Sequence, residues 1–253
     1  MATSRSTIRG TVRGMGTRAN PAFAVGAVAV PLAVLAYAVL APAPVQIHTY
    51  AHVMAGVLWT GTDLFMALVL GPVLGGLSVE ERASVFERFT PKMTFLMPAL
   101  ALVTIAGGIT LAERLGYFPH ADPWLALFTA ASLVPAVLLI GRQFGAFRDR
   151  RWQAAFGVVA VGSAAWLALT LPDFAMTRPV IVVSLGIVAL LSVLGFGVLM
   201  PGEVRMYREM TSADPDPNVI SRIGMRNAKL SGVQGALQLA VIAAMVYLRW
   251  GGF

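Results

Sequence analysis

The sequence predicts an all-α fold: a polytopic membrane helical bundle with seven transmembrane helices, N-terminus cytoplasmic and C-terminus external. Three observations predict it. Only 12% of the 253 residues are charged while 57% are apolar, and the mean hydropathy is +0.75. A soluble domain carries about 25% charged residues to wet its surface, so half that figure cannot coat a water-facing globule. The apolar residues also gather in seven runs, each near the ~20 helical residues that a bilayer needs. Finally, the basic residues alternate sides from one connection to the next. The absence of cysteine excludes a disulfide scaffold, and the apolar content excludes disorder.

The first span, 21–41, follows a basic cytoplasmic tail, 1–20, with Arg5, Arg9, Arg13 and Arg18. Ala41-Pro42-Ala43 has the small-residue pattern of a signal cleavage site, but Pro44 just beyond opposes cutting. The run therefore reads as an uncleaved signal anchor, with an organelle transit peptide as the alternative for its acid-free, Arg/Ser/Thr-rich start. The remaining spans are 48–74, 94–112, 123–141, 153–172, 179–200 and 230–249, so that 21–253 form a single transmembrane domain. Gly and Pro recur inside them, as membrane helices tolerate. Continuous apolarity, without alternation, excludes a closed β-barrel. Ser78 with Glu80 and Glu81 starts a capped amphipathic helix ahead of the third span. A second charged segment, 203–228, is broken by the loop Asp214-Pro215-Asp216-Pro217. Both segments are expected to lie along the inner membrane surface.

Charge placement tests the partition. The tail and the second, fourth and sixth connections hold 16 of the 19 Lys and Arg residues, leaving Arg114, Arg178 and Arg249 for the other side. The positive-inside rule then makes the N-terminus cytoplasmic. The net charge of +7 reflects this topology and contact with anionic lipid. The lipid bilayer is the expected partner, in the cell membrane; nucleic acid is not, since no aromatic-interleaved basic module is present. An oligomer or a partner subunit is compatible with the chain.

Function is sought where polar groups enter the apolar spans, because a charge there costs about 2.5–3.5 kcal/mol. His48, His52, Gly56, Trp59 and Asp63 fall on one face of the second span at helical spacing. His48 and His52 are one turn, about 6 Å, apart and could grip one metal ion. His120 falls on the same, external side, so the candidate metal ligands are His48, His52 and His120, against a reading as interfacial histidines bonded to water or backbone. Trp59 reads either as part of a cofactor wall or as a core indole. Asp63 is about 16 Å below His52 and cannot share its coordination shell. No Lys or Arg lies at its depth, and Gln234 and Gln238 of the last span are its expected neighbours, with Asn227 and Ser231 on the same polar face. It reads as a neutral carboxyl bonded to an amide, or as a proton or cation contact. No Gly-rich phosphate loop, zinc-protease helix or paired-carboxylate motif is present, and no mid-span lysine could carry retinal.

His52-Val53-Met54-Ala55-Gly56-Val57-Leu58-Trp59-Thr60-Gly61 resembles the His-x6-Trp-x-Gly helix of the CopD-like membrane superfamily, which includes copper-resistance D proteins and HemJ-type porphyrinogen oxidases. Phe89, Lys92, Met93, Pro98-Ala99, Thr104 and Gly107-Gly108 extend the resemblance, which covers about residues 48–112. It implies a helical bundle in which His52 contacts haem or a copper-like metal at the external face, in metal handling or transport. HemJ-type enzymes also use a lysine inside a later span, whereas this chain has only Lys92 and Lys229, at cytoplasmic span ends. The alternatives are a membrane oxidoreductase acting on a porphyrin or quinone, and a non-catalytic subunit or proton-coupled transporter using Asp63. Leu70-Gly71-Pro72 recurs loosely as Leu199-Met200-Pro201-Gly202-Glu203, so spans two–three and six–seven read as parallel repeats.

Overall fold

The computed structural model describes Ile8–Ala41 and Ala43–Gly251; Arg5 of the basic tail and Pro42 lie outside the described residues. The fold is all-α, and no strand occurs among the described residues. Helix α1 (Ile8–Ala19) precedes seven helices long and apolar enough to cross a membrane: α2 (Pro21–Leu40), α3 (Val45–Gly75), α4 (Val79–Arg114), α5 (Ala121–Phe144), α6 (Arg150–Asp173), α7 (Pro179–Met210) and α8 (Pro217–Trp250). Their buried shares are small, and Val158, Leu169 and Leu190 stay exposed, as helices facing hydrocarbon require.

The two charged segments do not form separate helices on the membrane surface, as the sequence reading expected. Residues 79–93 are the first turns of α4, and 203–210 and 217–229 continue α7 and α8. The reason is that their apolar faces bury one another: Leu74, Ala83, Phe86, Met206, Met210, Ile220 and Ile223 make one core. The start of α4 carries the expected Ser78 cap, closed as a reciprocal capping box. Glu81 Oε2 accepts from the Ser78 N–H at 2.8 Å, and the Glu81 N–H reaches Ser78 Oγ at 3.3 Å. Asp216 likewise closes the loop before α8 by accepting from the Asn218 N–H at 2.8 Å.

Both α3 and α7 contain one π-helical turn, at Met66–Leu70 and Gly195–Leu199. Each ends two residues before a proline, Pro72 or Pro201. Proline has no N–H and its ring presses on the carbonyl four residues back, so a widened turn relieves both effects. The two sequence copies thus carry the same break at the same register.

Packing divides into two compact units. One holds the described residues up to Thr104 together with Gly202–Gly232; the other holds Ile105–Pro201 and the described residues from Val233. In the first, the basic tail is not free: Thr11, Met15 and Ala19 of α1 are buried, Gly14 faces the Tyr207 hydroxyl, and the Arg18 guanidinium lies 5.9 Å from the Tyr207 ring centre. In the second, Phe118, Trp124 and Ile181 form a core, and Trp124 Nε1 donates to the Ala175 carbonyl at 3.0 Å.

Candidate functional site

Helix α3 builds the site. Its buried face runs through His48, Ala51, Ala55, Trp59, Asp63 and Met66 at steps of three or four residues, with His52 and Gly56 half-buried at its edge. Small residues let α4 approach. A methyl on Gly56 would meet Thr104 Cγ2 at 3.4 Å, and there His52 Nδ1 makes a 2.9 Å hydrogen bond to the Thr104 carbonyl. A carbonyl only accepts, so Nδ1 carries the proton and Nε2 keeps its lone pair. His48, 1% exposed, lies one turn away, within electrostatic reach of His52.

The third histidine stands at the start of α5. His120 is exposed, adopts a left-handed backbone with φ 55° at the start of α5, and belongs to the second unit. Among the described residues no group of three or more His, Asp or Glu side chains could hold a metal ion. No such group joins His120 to His48 and His52 among the described residues, and His120 is the residue that starts α5. Two imidazoles fall short of the three or four protein ligands of a copper or zinc centre. Of the two, His52, with its Nε2 lone pair left open, is the residue that would hold a haem iron.

Asp63 is the deepest polar group of α3, 1% exposed. Gln234 and Gln238, read from the sequence as its neighbours, are buried in the second unit at 3% and 4% exposure. The Gln234 amide nitrogen lies 3.4 Å from where a Cβ on Gly195 would stand, beside the second π turn. Within the first unit Asp63 lies in electrostatic reach of Glu203 of α7, a residue that hydropathy assigns to a cytoplasmic connection. Glu203 is half-buried, and its Oε2 lies 2.8 Å from the Thr94 hydroxyl of α4. That hydroxyl is also 3.0 Å from the Thr90 carbonyl. Pro98 has no N–H for the carbonyl of Thr94, so the helix leaves a spare acceptor at the same turn. Gly202 brings α8 close: a Cβ there would stand 3.0 Å from the Asn227 amide and from the Arg226 guanidinium.

The pattern that marks Glu203 in the sequence is its place after Pro201-Gly202, the counterpart of the Pro72 break. Hydropathy alone conceals it, since charged residues begin there. No family model, curated protein or solved structure matches the chain.

Proposed function

We propose that this chain is a multi-pass membrane protein that carries a proton at the Asp63–Glu203 pair, as a proton-coupled transporter or as the proton-handling subunit of a larger membrane assembly. One observation carries the reading: the Thr94 hydroxyl stands between Glu203 and the Thr90 carbonyl with a single proton to give. When that proton goes to the carbonyl, Glu203 must be the protonated donor to Thr94 Oγ1. When Glu203 is ionised, the hydroxyl turns and donates to it. Both protonation states thus keep the Thr94–Glu203 hydrogen bond, and the change costs one hydroxyl rotation away from the Thr90 carbonyl. Asp63 lies within electrostatic reach of Glu203 in the same unit, so the two carboxyls are read as one proton-carrying pair. Ionisable groups inside a membrane bundle are costly and belong characteristically to proton or ion pathways.

The test needs no substrate. Infrared difference spectra of the vesicle-reconstituted protein, taken between acid and alkaline buffer, are expected to contain a protonated-carboxyl band that Asp63→Asn or Glu203→Gln removes. Thr94→Val is expected to shift the Glu203 band. Spectra indifferent to both carboxyl substitutions would refute the reading.

A second reading is favoured by the His52 geometry and by the resemblance to CopD-like proteins over residues 48–112: a membrane protein that holds haem through His52. A histidine bonded through Nδ1 to a carbonyl is the arrangement that orients a ligand and raises its basicity. Haem there would supply one-electron chemistry, in carriage or in an oxidoreductase acting on a porphyrin or quinone. The purified protein would then absorb in the Soret region and lose that band in His52→Ala. A preparation without a Soret band, after expression with haem precursors, removes this reading and leaves the first intact.

A further inference from the structure

The first unit has an apolar groove on the exposed side of α3 and α4, away from the face that carries Asp63. Leu58, Gly61 and Phe65 of α3 form one wall, and Phe89, Met93 and Leu96 of α4 form the other. Its floor is open at Gly61, where an added Cβ would meet nothing within 4 Å. The polar side chain that borders it, Thr62, already donates its hydroxyl proton to the Leu58 carbonyl at 2.7 Å. Nothing in the wall therefore orients a polar ligand, and the groove is about 10–12 Å long at 1.5 Å per helical residue. Those dimensions and that lining suit a flexible hydrocarbon chain.

One end of the groove is charged. Arg88 and Lys92 sit one turn apart on α4, flanking Phe89 and Met93, and extend the stripe that ends at Leu96. Arg88 is exposed, and Lys92 Nζ donates to the Arg88 carbonyl at 3.1 Å, which holds it beside that turn. Neither side chain makes an ion pair among the described residues. The positive-inside pattern sets this end toward the cytoplasm, where the leaflet is anionic. We propose that the groove is a binding site for one anionic phospholipid of the cytoplasmic leaflet, with an acyl chain along Gly61 and the headgroup phosphate on Arg88 and Lys92. Charge complementarity selects the headgroup, and the open glycine admits the chain.

The experiment is native mass spectrometry of the detergent-purified chain, titrated with phosphatidylglycerol or with phosphatidylcholine of the same acyl chains. The expected result is preferential retention of one phosphatidylglycerol. Arg88→Gln with Lys92→Gln should weaken that retention roughly 30-fold, from the usual contribution of two basic side chains at an anionic surface. Gly61→Leu, which adds a side chain where a Cβ meets nothing within 4 Å, should weaken both lipids alike. Arg148→Gln with Arg150→Gln, two exposed cations of the second unit, should change nothing. Equal retention of the two lipids, or equal loss from both pairs of neutralised cations, would mean non-selective annular lipid and overturn the proposal. Retention that Gly61→Leu leaves unchanged would overturn it as well.

Discussion

Gly224 and Gly61 are both helical glycines of the first unit, yet the same substitution should act on them in opposite directions. A Cβ at Gly224 would press into the ring of Phe86, which is 2% exposed in the core with Leu74 and Met206. Gly224→Ala is therefore expected to cost about 1–3 kcal/mol through overpacking. At Gly61 nothing opposes a methyl, and Ala in place of Gly in a helix gains roughly 0.5–1 kcal/mol. Thermal unfolding in detergent should show a lower midpoint for Gly224→Ala and an unchanged or higher one for Gly61→Ala. Asp63 was legible in the sequence because a carboxyl within a long apolar run is an outlier that needs no structure. Glu203 was not, since charged residues follow it immediately and only the fold of α7 carries it beside Thr94. The histidines were half legible: helical spacing gives the closeness of His48 and His52, but spacing says nothing about where a loop leaves His120.

The elements that matter most for the site are the broken helices. In α7 the proline at 201 has no N–H for the Gly197 carbonyl, and the π turn displaces the neighbouring bonds. Gln143 of α5 replaces the missing donor: its Nε2 reaches the Gly197 carbonyl at 2.8 Å and the Val198 carbonyl at 3.3 Å. Gly197 permits the approach, since a Cβ there would stand 3.0 Å from Ala136 Cα. Gln143→Met keeps the length of the side chain and removes the donor, which leaves these carbonyls unsatisfied in an apolar setting. The expected loss is about 1–3 kcal/mol, read as a lower unfolding midpoint, and amide exchange should quicken around residues 195–201. The prolines and their repeat are plain in the sequence. The π turns are not, because a widened turn and a kink relieve a proline equally well and local sequence does not choose between them. The amphipathic segments before the third and seventh spans failed for a related reason. An apolar face looks the same whether it meets lipid or another helix, and here Phe86, Met206 and Ile223 meet one another.

At the scale of the whole molecule, composition and charge were sufficient to count the spans, because hydrocarbon forces every backbone group into helical bonds and leaves length as the main variable. All seven helices lie where the apolar runs placed them, lengthened at their ends where core contacts continue the helix past the apolar residues. Orientation rests on a separate physical asymmetry, the retention of Lys and Arg on the cytoplasmic side. The chain itself supplies a clean test, for it contains no cysteine and any introduced thiol reports alone. His120 and Arg148 are exposed, and they flank α5 at its two ends. In intact cells a membrane-impermeant maleimide should label His120→Cys at once and leave Arg148→Cys unlabelled until the membrane is opened. The reverse pattern would invert the whole map, including the leaflet to which Arg88 and Lys92 face. Equal labelling of both positions in sealed cells would mean that α5 does not cross the membrane, and the count of seven would fall with it.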